Sequence, residues 1–199
     1  MWDQRYSQAE FVYGTNPNDF LKESCQHIPK GGKVLCLAEG EGRNAVFLAM
    51  QGYQVTAVDL STVGLRKAEA LAKEKGVEIE TITADLAHFD LGEEKWDGIV
   101  SIFAHVPPTI RKRLHQQVQN ALRKEGVLIL EAFTPRQPQM SGMGGPPPSQ
   151  EKLFMSLGSL REELHTLEFI TAQELERELS EGKHHEGLCA VVQIVSLKV

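Results

Sequence analysis

The chain has 199 residues, 41% of them hydrophobic and 24% charged, with 21 Lys plus Arg against 27 Asp plus Glu for a net charge of -6. That length favours one domain over two and supports a core that needs no disulfide or metal staple. The acidic balance argues against a nucleic-acid partner. No apolar run approaches the roughly 20 residues of a membrane span, and Met1-Trp2-Asp3-Gln4-Arg5 has no signal-peptide core.

In chain order, residues 1–30 read as an N-terminal cap segment of a single 1–199 domain. The run 33–38 (KVLCLA) follows Gly31-Gly32 and predicts a strand, as do 54–58 (QVTAV), 77–83 (VEIETIT), 98–103 (GIVSIF) and 127–133 (VLILEAF). Runs without polar alternation suit parallel strands covered on both faces. Between them, 43–51 reads as a helix stopped by Gly52. A second helix, capped by Ser61 and ended by Gly76, carries Leu65, Ala68 and Ala72 on one face. A third, capped by Thr109, carries the stripe Ile110, Leu114, Val118 and Leu122. Strict alternation of strand and helix predicts an α/β, Rossmann-like, doubly wound sheet with helices on both faces. Residues 134–149 collect five prolines and three glycines, so they form an irregular loop, either a lid (134–158) or a simple excursion. A short helix over 160–164 follows, then 167–179, which fits neither period cleanly. Residues 188–199 read as the final strand, which a hairpin without a crossover helix would make antiparallel.

The first strand runs into Glu39-Gly40-Glu41-Gly42-Arg43-Asn44-Ala45 and then a helix. Strand, glycine turn and helix N-terminus are the ingredients of a nucleotide-type site. Gly40 permits the tight turn, and Gly42 is expected to open the backbone to a ligand. The same residues satisfy the dinucleotide pattern Gly-x-Gly-x-x-Gly/Ala. A pyrophosphate there would lie beside the Glu39 carboxylate, and like charges in a partly dry cleft repel by several kcal/mol, roughly. A cationic ligand gains instead, and S-adenosylmethionine carries a sulfonium and an α-ammonium. Asp59, ending the second strand, is placed to accept both ribose hydroxyls. Asp85, ending the third, is placed to take the adenine amino group, with Leu60, Leu86 and Ala87 as apolar neighbours of the ring.

These residues resemble those of the class I S-adenosylmethionine-dependent methyltransferases, and within that class the chain is similar to the tellurite-resistance-type methyltransferases. The resemblance rests on Trp2, Arg5, Tyr6, Tyr13-Gly14 and Asn16-Pro17. It continues through 35–44 (LCLAEGEGRN), 58–61 (VDLS), 84–86 (ADL) and His105-Val106-Pro107-Pro108 with Arg111, and thins beyond Thr134. It implies a seven-stranded sheet with its last strand antiparallel. It places Glu39, Gly40 and Gly42 around the methionine end, Asp59 at the ribose and Asp85 at the adenine, with Asn44, Leu60 and Leu86 as further cofactor-binding candidates.

Methyl transfer to a soft S, Se or Te acceptor needs positioning and desolvation more than a base. His105, after the fourth strand, is the best-placed histidine for handling a proton, or else a loop anchor. The Pro107-Pro108 pair lacks the Asp/Asn-Pro-Pro-aromatic pattern of nucleic-acid amino-methyltransferases. Arg5 and Tyr6 are candidates for closing the site from the N-terminal side. His184-His185 reads as a tight turn, since adjacent histidines chelate one ion poorly, and no metal is expected. Cys25, Cys36 and Cys189 lack partners, so reduced thiols and a cytoplasmic location are expected. The leading reading is a methyltransferase acting on a small molecule. An NAD(P)-binding oxidoreductase and a non-catalytic adenosylmethionine-binding regulator stand as alternatives.

Overall fold

The structure, a computed structural model, describes residues 2–199. The N-terminal segment contains α1 (Trp2–Tyr6) and α2 (Asp19–Ser24). Alternation then begins with β1 (Lys33–Leu37), α3 (Arg43–Met50), β2 (Gln54–Asp59), α4 (Thr62–Glu74) and β3 (Glu80–Thr83). It continues through β4 (Trp96–Ile102), α5 (Pro108–Ala121) and β5 (Leu122–Phe133), and ends with α6 (Leu157–Glu163), β6 (Glu168–Ser180) and β7 (Glu186–Leu197). The seven strands form one sheet in the order β3-β2-β1-β4-β5-β7-β6. β1 to β5 pair in parallel, whereas β7 runs antiparallel to both β5 and β6. The expected doubly wound sheet with an antiparallel last strand is thus the observed one.

Period-two projection explains why the central runs are apolar throughout. In β1, Leu35 and Leu37 join the cluster with Ile99, Leu114, Val118 and Leu160, under α5 and α6. Val34 and Cys36 point the other way, to Leu21, Leu48 and Leu65 under α2, α3 and α4. A strand sandwiched between helix layers has no wet face on which to place polar residues.

Two expectations need correction, and one open segment is resolved. Thr109 does not cap α5: the helix starts two residues earlier than that cap implies, at Pro108, whose fixed φ suits a first helical turn, and Pro107 precedes it without a side-chain cap. Ser61 does cap α4, accepting the Gly64 N–H at 3.0 Å. Residues 122–126 prolong β5 backwards through a register shift against β4, so Leu122 ends the α5 stripe from within a strand. The ambiguous 167–179 is the outer strand β6, where Glu168, Glu174, Glu176 and Glu178 stay exposed and only Leu179 is buried. A half-wet edge strand carries a weak apolar signal.

Among the described residues, no helix is long and apolar enough to cross a membrane.

Candidate active site at the carboxyl ends of the strands

In an open α/β sheet the crevice outside the carboxyl ends of the strands is where ligands bind. Here β1 and β4 both leave the sheet through non-glycine residues with left-handed backbone, Ala38 (φ 50°) and Phe103 (φ 53°). Backbone strain of this kind concentrates at functional sites, because the surrounding structure must hold it.

Gly40 (φ 63°) and Gly42 (φ 89°) make the turn after β1. A β-carbon on Gly40 would lie 2.6 Å from the Tyr6 hydroxyl oxygen, and one on Gly42 would lie 2.4 Å from the Ala68 β-carbon. Gly42 is therefore needed for α3 to pack against α4, and the expectation that it opens the backbone to a ligand is corrected. Gly40 lets Tyr6 cover the turn. Tyr6 is buried, with its ring also against Gly64, and burial followed by the nearby Asp59 charge pushes its hydroxyl pKa up.

Glu39 turns back onto the start of α3, where its Oε1 accepts the N–H groups of Asn44 (3.0 Å) and Ala45 (2.7 Å). Desolvation raises its pKa to about 7, against the pull of those N–H groups and of the Arg43 charge. Asn44 contributes through its backbone; its side-chain oxygen accepts the Asn18 N–H at 2.9 Å, fastening the N-terminal segment. Asp59 is buried and accepts the Gly40 N–H (2.8 Å) and the Ser61 N–H (2.7 Å), one on each oxygen. Desolvation raises its pKa as well. Asp85 is exposed, takes the Ala87 N–H at 2.8 Å on one oxygen, and adjoins buried Leu86. Leu60 is 57% exposed, unusual for a leucine between two buried residues. The acids that follow or end the first three strands thus stand at successive carboxyl ends of the sheet, with exposed Leu60 directly after Asp59.

His105 does not present a free nitrogen. Its Nδ1 donates to the Leu153 carbonyl (2.8 Å) and its Nε2 accepts the Phe133 N–H (3.2 Å). Burial and the Arg111 charge lower its pKa to about 4, so it sits as a neutral bridge between the strand ends and the proline-rich loop. Arg5 is exposed, donates to the Tyr13 hydroxyl (3.0 Å), and lies over the Trp2 ring at 4.9 Å.

Sequence reasoning took His184-His185 as a turn, which it is, and missed where the turn carries His185. Because β6 runs with the parallel strands, its turn to β7 falls at their carboxyl edge, and His184-His185 is that turn. The His185 ring stands 4.6 Å from Tyr13, 4.6 Å from Phe103 and 5.3 Å from Phe133, centroid to centroid. It is 8% exposed and its Nδ1 is buried with no hydrogen-bond partner. Desolvation, then the Arg43 charge, holds its pKa well below the usual imidazole value. A neutral imidazole nitrogen left unpaired inside an aromatic box forfeits a hydrogen bond, a cost that a polar ligand atom can relieve. No sequence signal marks this residue; only the strand directions bring it here.

The loop over 134–149 is fastened down. Gly142 donates to the Leu188 carbonyl (2.9 Å), Met143 bridges Glu186, and Gly144 and Gly145 pack on the Phe133 ring. It closes over the same aromatic box.

Residues 34–126 match the family described as a methyltransferase domain. A Bacillus subtilis protein described as the uncharacterized methyltransferase YbaJ is 34% identical over 131 residues, covering 64% of this chain and 47% of its own length. Psychrobacter carboxy-S-adenosyl-L-methionine synthase is 33% identical over 108 residues, covering 52% of this chain and 37% of its own. The chain thus spans half or less of these curated relatives. Haemophilus influenzae TehB superposes with a TM-score of 0.75 at 18% identity, over 100% of this chain and 66% of that one, a likeness of fold.

Proposed function

We propose that the chain, whose residues 34–126 match the methyltransferase-domain family and whose fold is like that of TehB, transfers a methyl group from S-adenosylmethionine to a small, soft acceptor such as a thiol, a selenol or a tellurium species. The observation that carries this reading is the set of acceptors at the strand ends. Glu39, Asp59 and Asp85 are acceptors for ammonium, hydroxyl and amino groups, and Arg43 beside them is already paired with Glu181. A cationic nucleoside fits that set, whereas a pyrophosphate would meet three carboxylates.

S-adenosylmethionine, when bound, supplies an electrophilic methyl on a sulfonium that leaves as a neutral thioether. Glu39 would hold the α-ammonium on its second oxygen, Asp59 the ribose, and Asp85 with Leu60 and Leu86 the adenine. The Phe103–Phe133–Tyr13 box excludes water from the acceptor, and water exclusion favours an unsolvated soft nucleophile. His185 offers the acceptor one neutral nitrogen. His105 holds the proline-rich loop to the strand ends, and Tyr6 and Arg5 close the N-terminal side. The similarity to the Psychrobacter carboxy-S-adenosyl-L-methionine synthase supports the same cofactor.

The direct test is formation of S-adenosylhomocysteine on incubation with S-adenosylmethionine and a panel of thiols, thiopurines, selenite and tellurite. Product with any soft acceptor supports the reading. Tight cofactor binding with no product across the panel would leave the non-catalytic regulator standing.

The pH dependence of binding follows from Glu39. Its folded-state pKa near 7 lies above the 4.5 of an unfolded glutamate, so the free protein gains stability as pH falls through 7 and Glu39 protonates. A cationic ligand prefers the ionised form. Affinity for S-adenosylhomocysteine, which keeps the α-ammonium, should therefore fall by up to about tenfold per pH unit below 7 and level off above it. Calorimetry in buffers of differing ionisation enthalpy should register a proton released on binding near pH 6.5; Glu39→Gln should abolish it.

Shortening 137–148 should lower turnover more than cofactor affinity, because that loop covers the acceptor box and not the glycine turn. Unchanged turnover would reject the lid role.

A further inference from the structure

A cluster of buried charge lies between the glycine turn and the His185 turn. Glu131, on β5, is fully buried and accepts from Asn18 (2.6 Å), twice from Arg177 (2.8 Å each) and from Gln193 (2.7 Å). Glu181, just after β6, accepts from Asn18 (2.9 Å) and Arg177 (2.9 Å) on one oxygen and from Arg43 (2.7 Å) on the other. Two carboxylates thus meet two guanidinium groups.

The connections at its ends matter most. Arg43 is the first residue of α3, directly after Gly42, and the next two N–H groups are those held by Glu39. The Glu181 N–H donates to the His185 carbonyl at 2.8 Å and so closes the turn that presents the ring. A single ion pair therefore bridges the residue chain that would grip the cofactor and the one that faces the acceptor. Replacing a buried ion pair by apolar side chains is often neutral or stabilising, so stability alone does not explain this one.

Resting on the methyltransferase reading, we propose that Arg43 and Glu181 are positioning residues that couple cofactor occupancy to the His185 ring. A ligand drawing on Glu39 shifts the start of α3, Arg43 carries that shift to Glu181, and the turn resets the ring in its aromatic box. Arg43 also acts through space in a consistent sense: its charge favours ionised Glu39 and neutral His185. The other groups facing the ring are Tyr13, Phe103, Phe133, Arg5, His105 and His184.

The test uses the full chain with its histidine rings isotopically labelled, the His185 resonance being assigned by its disappearance in His185→Gln. Titration with S-adenosylhomocysteine should displace that resonance in the wild type. In Glu181→Gln the displacement should be lost while calorimetry still shows the ligand binding. Should the single variant fail to fold, Arg43→Gln/Glu181→Gln, which leaves no unpaired charge, carries the same expectation. A resonance that moves equally in the variant, or stays still in a wild type that binds the ligand, overturns the coupling. Absence of any binding heat in the wild type instead overturns the cofactor reading, and the coupling falls with it.

Discussion

Replacing Glu131 by alanine is expected to cost about 3–5 kcal/mol of folding stability, the range for removing one partner of a buried ion pair. Four donors converge on this carboxylate; Asn18 Nδ2 and Arg177 Nη2 would keep Glu181, whereas Arg177 Nε and Gln193 Nε2 would lose their carboxylate partner inside the core. For a chain of this size the melting temperature should drop on the order of 10 °C. Thermal and urea denaturation of the variant measure it directly, and a loss below 1 kcal/mol, roughly the value of an exposed pair, would show that water reaches the cluster.

Asp59→Ala should weaken S-adenosylhomocysteine binding by about 1–3 kcal/mol, or about 5- to 150-fold, the usual cost of stranding buried polar partners. Its two oxygens hold the Gly40 and Ser61 N–H groups, so the substitution removes a ribose acceptor and loosens the glycine turn together. Asp59→Asn separates the two effects, since its carbonyl keeps one of the backbone contacts. Calorimetric affinity unaltered in Asp59→Ala would take this residue out of the ribose role.

Much of the fold is legible in the sequence because β1, β2, β4 and most of β5 are covered on both sides and bounded by glycine or a tight turn. Burial on two faces writes an unbroken apolar run, and the helices between write a stripe. β6 escapes that logic: an outer strand with one wet margin alternates charge and leucine irregularly. The beginning of β5 escapes as well: Leu122 completes a helical stripe in the sequence, and only the register shift beside Trp96 draws it and the charged residues after it into the sheet. At the site, acids on consecutive strand ends follow from local order alone. His105 was legible as a residue near the crevice, but its commitment to the Leu153 carbonyl and the Phe133 N–H depends on chain 48 and 28 positions away. His185 was illegible for the same reason, being brought to the crevice by strand direction over more than a hundred residues. The glycine pattern was read correctly as a turn and misread in detail, because only α4 reveals what Gly42 must accommodate.

The acidic margin of β6 bears on how the molecule behaves at high concentration. An outer strand offers unpaired N–H and C=O groups to any second copy, and carboxylates along such a strand keep two copies apart by mutual repulsion. Glu168, Glu174, Glu176 and Glu178 form that barrier, and among the described residues only Glu176 is neutralised, by Arg136 at 2.6 Å. Strand-to-strand association between molecules should accordingly grow as salt screens the row, so light scattering that rises with ionic strength tracks the loss of this protection.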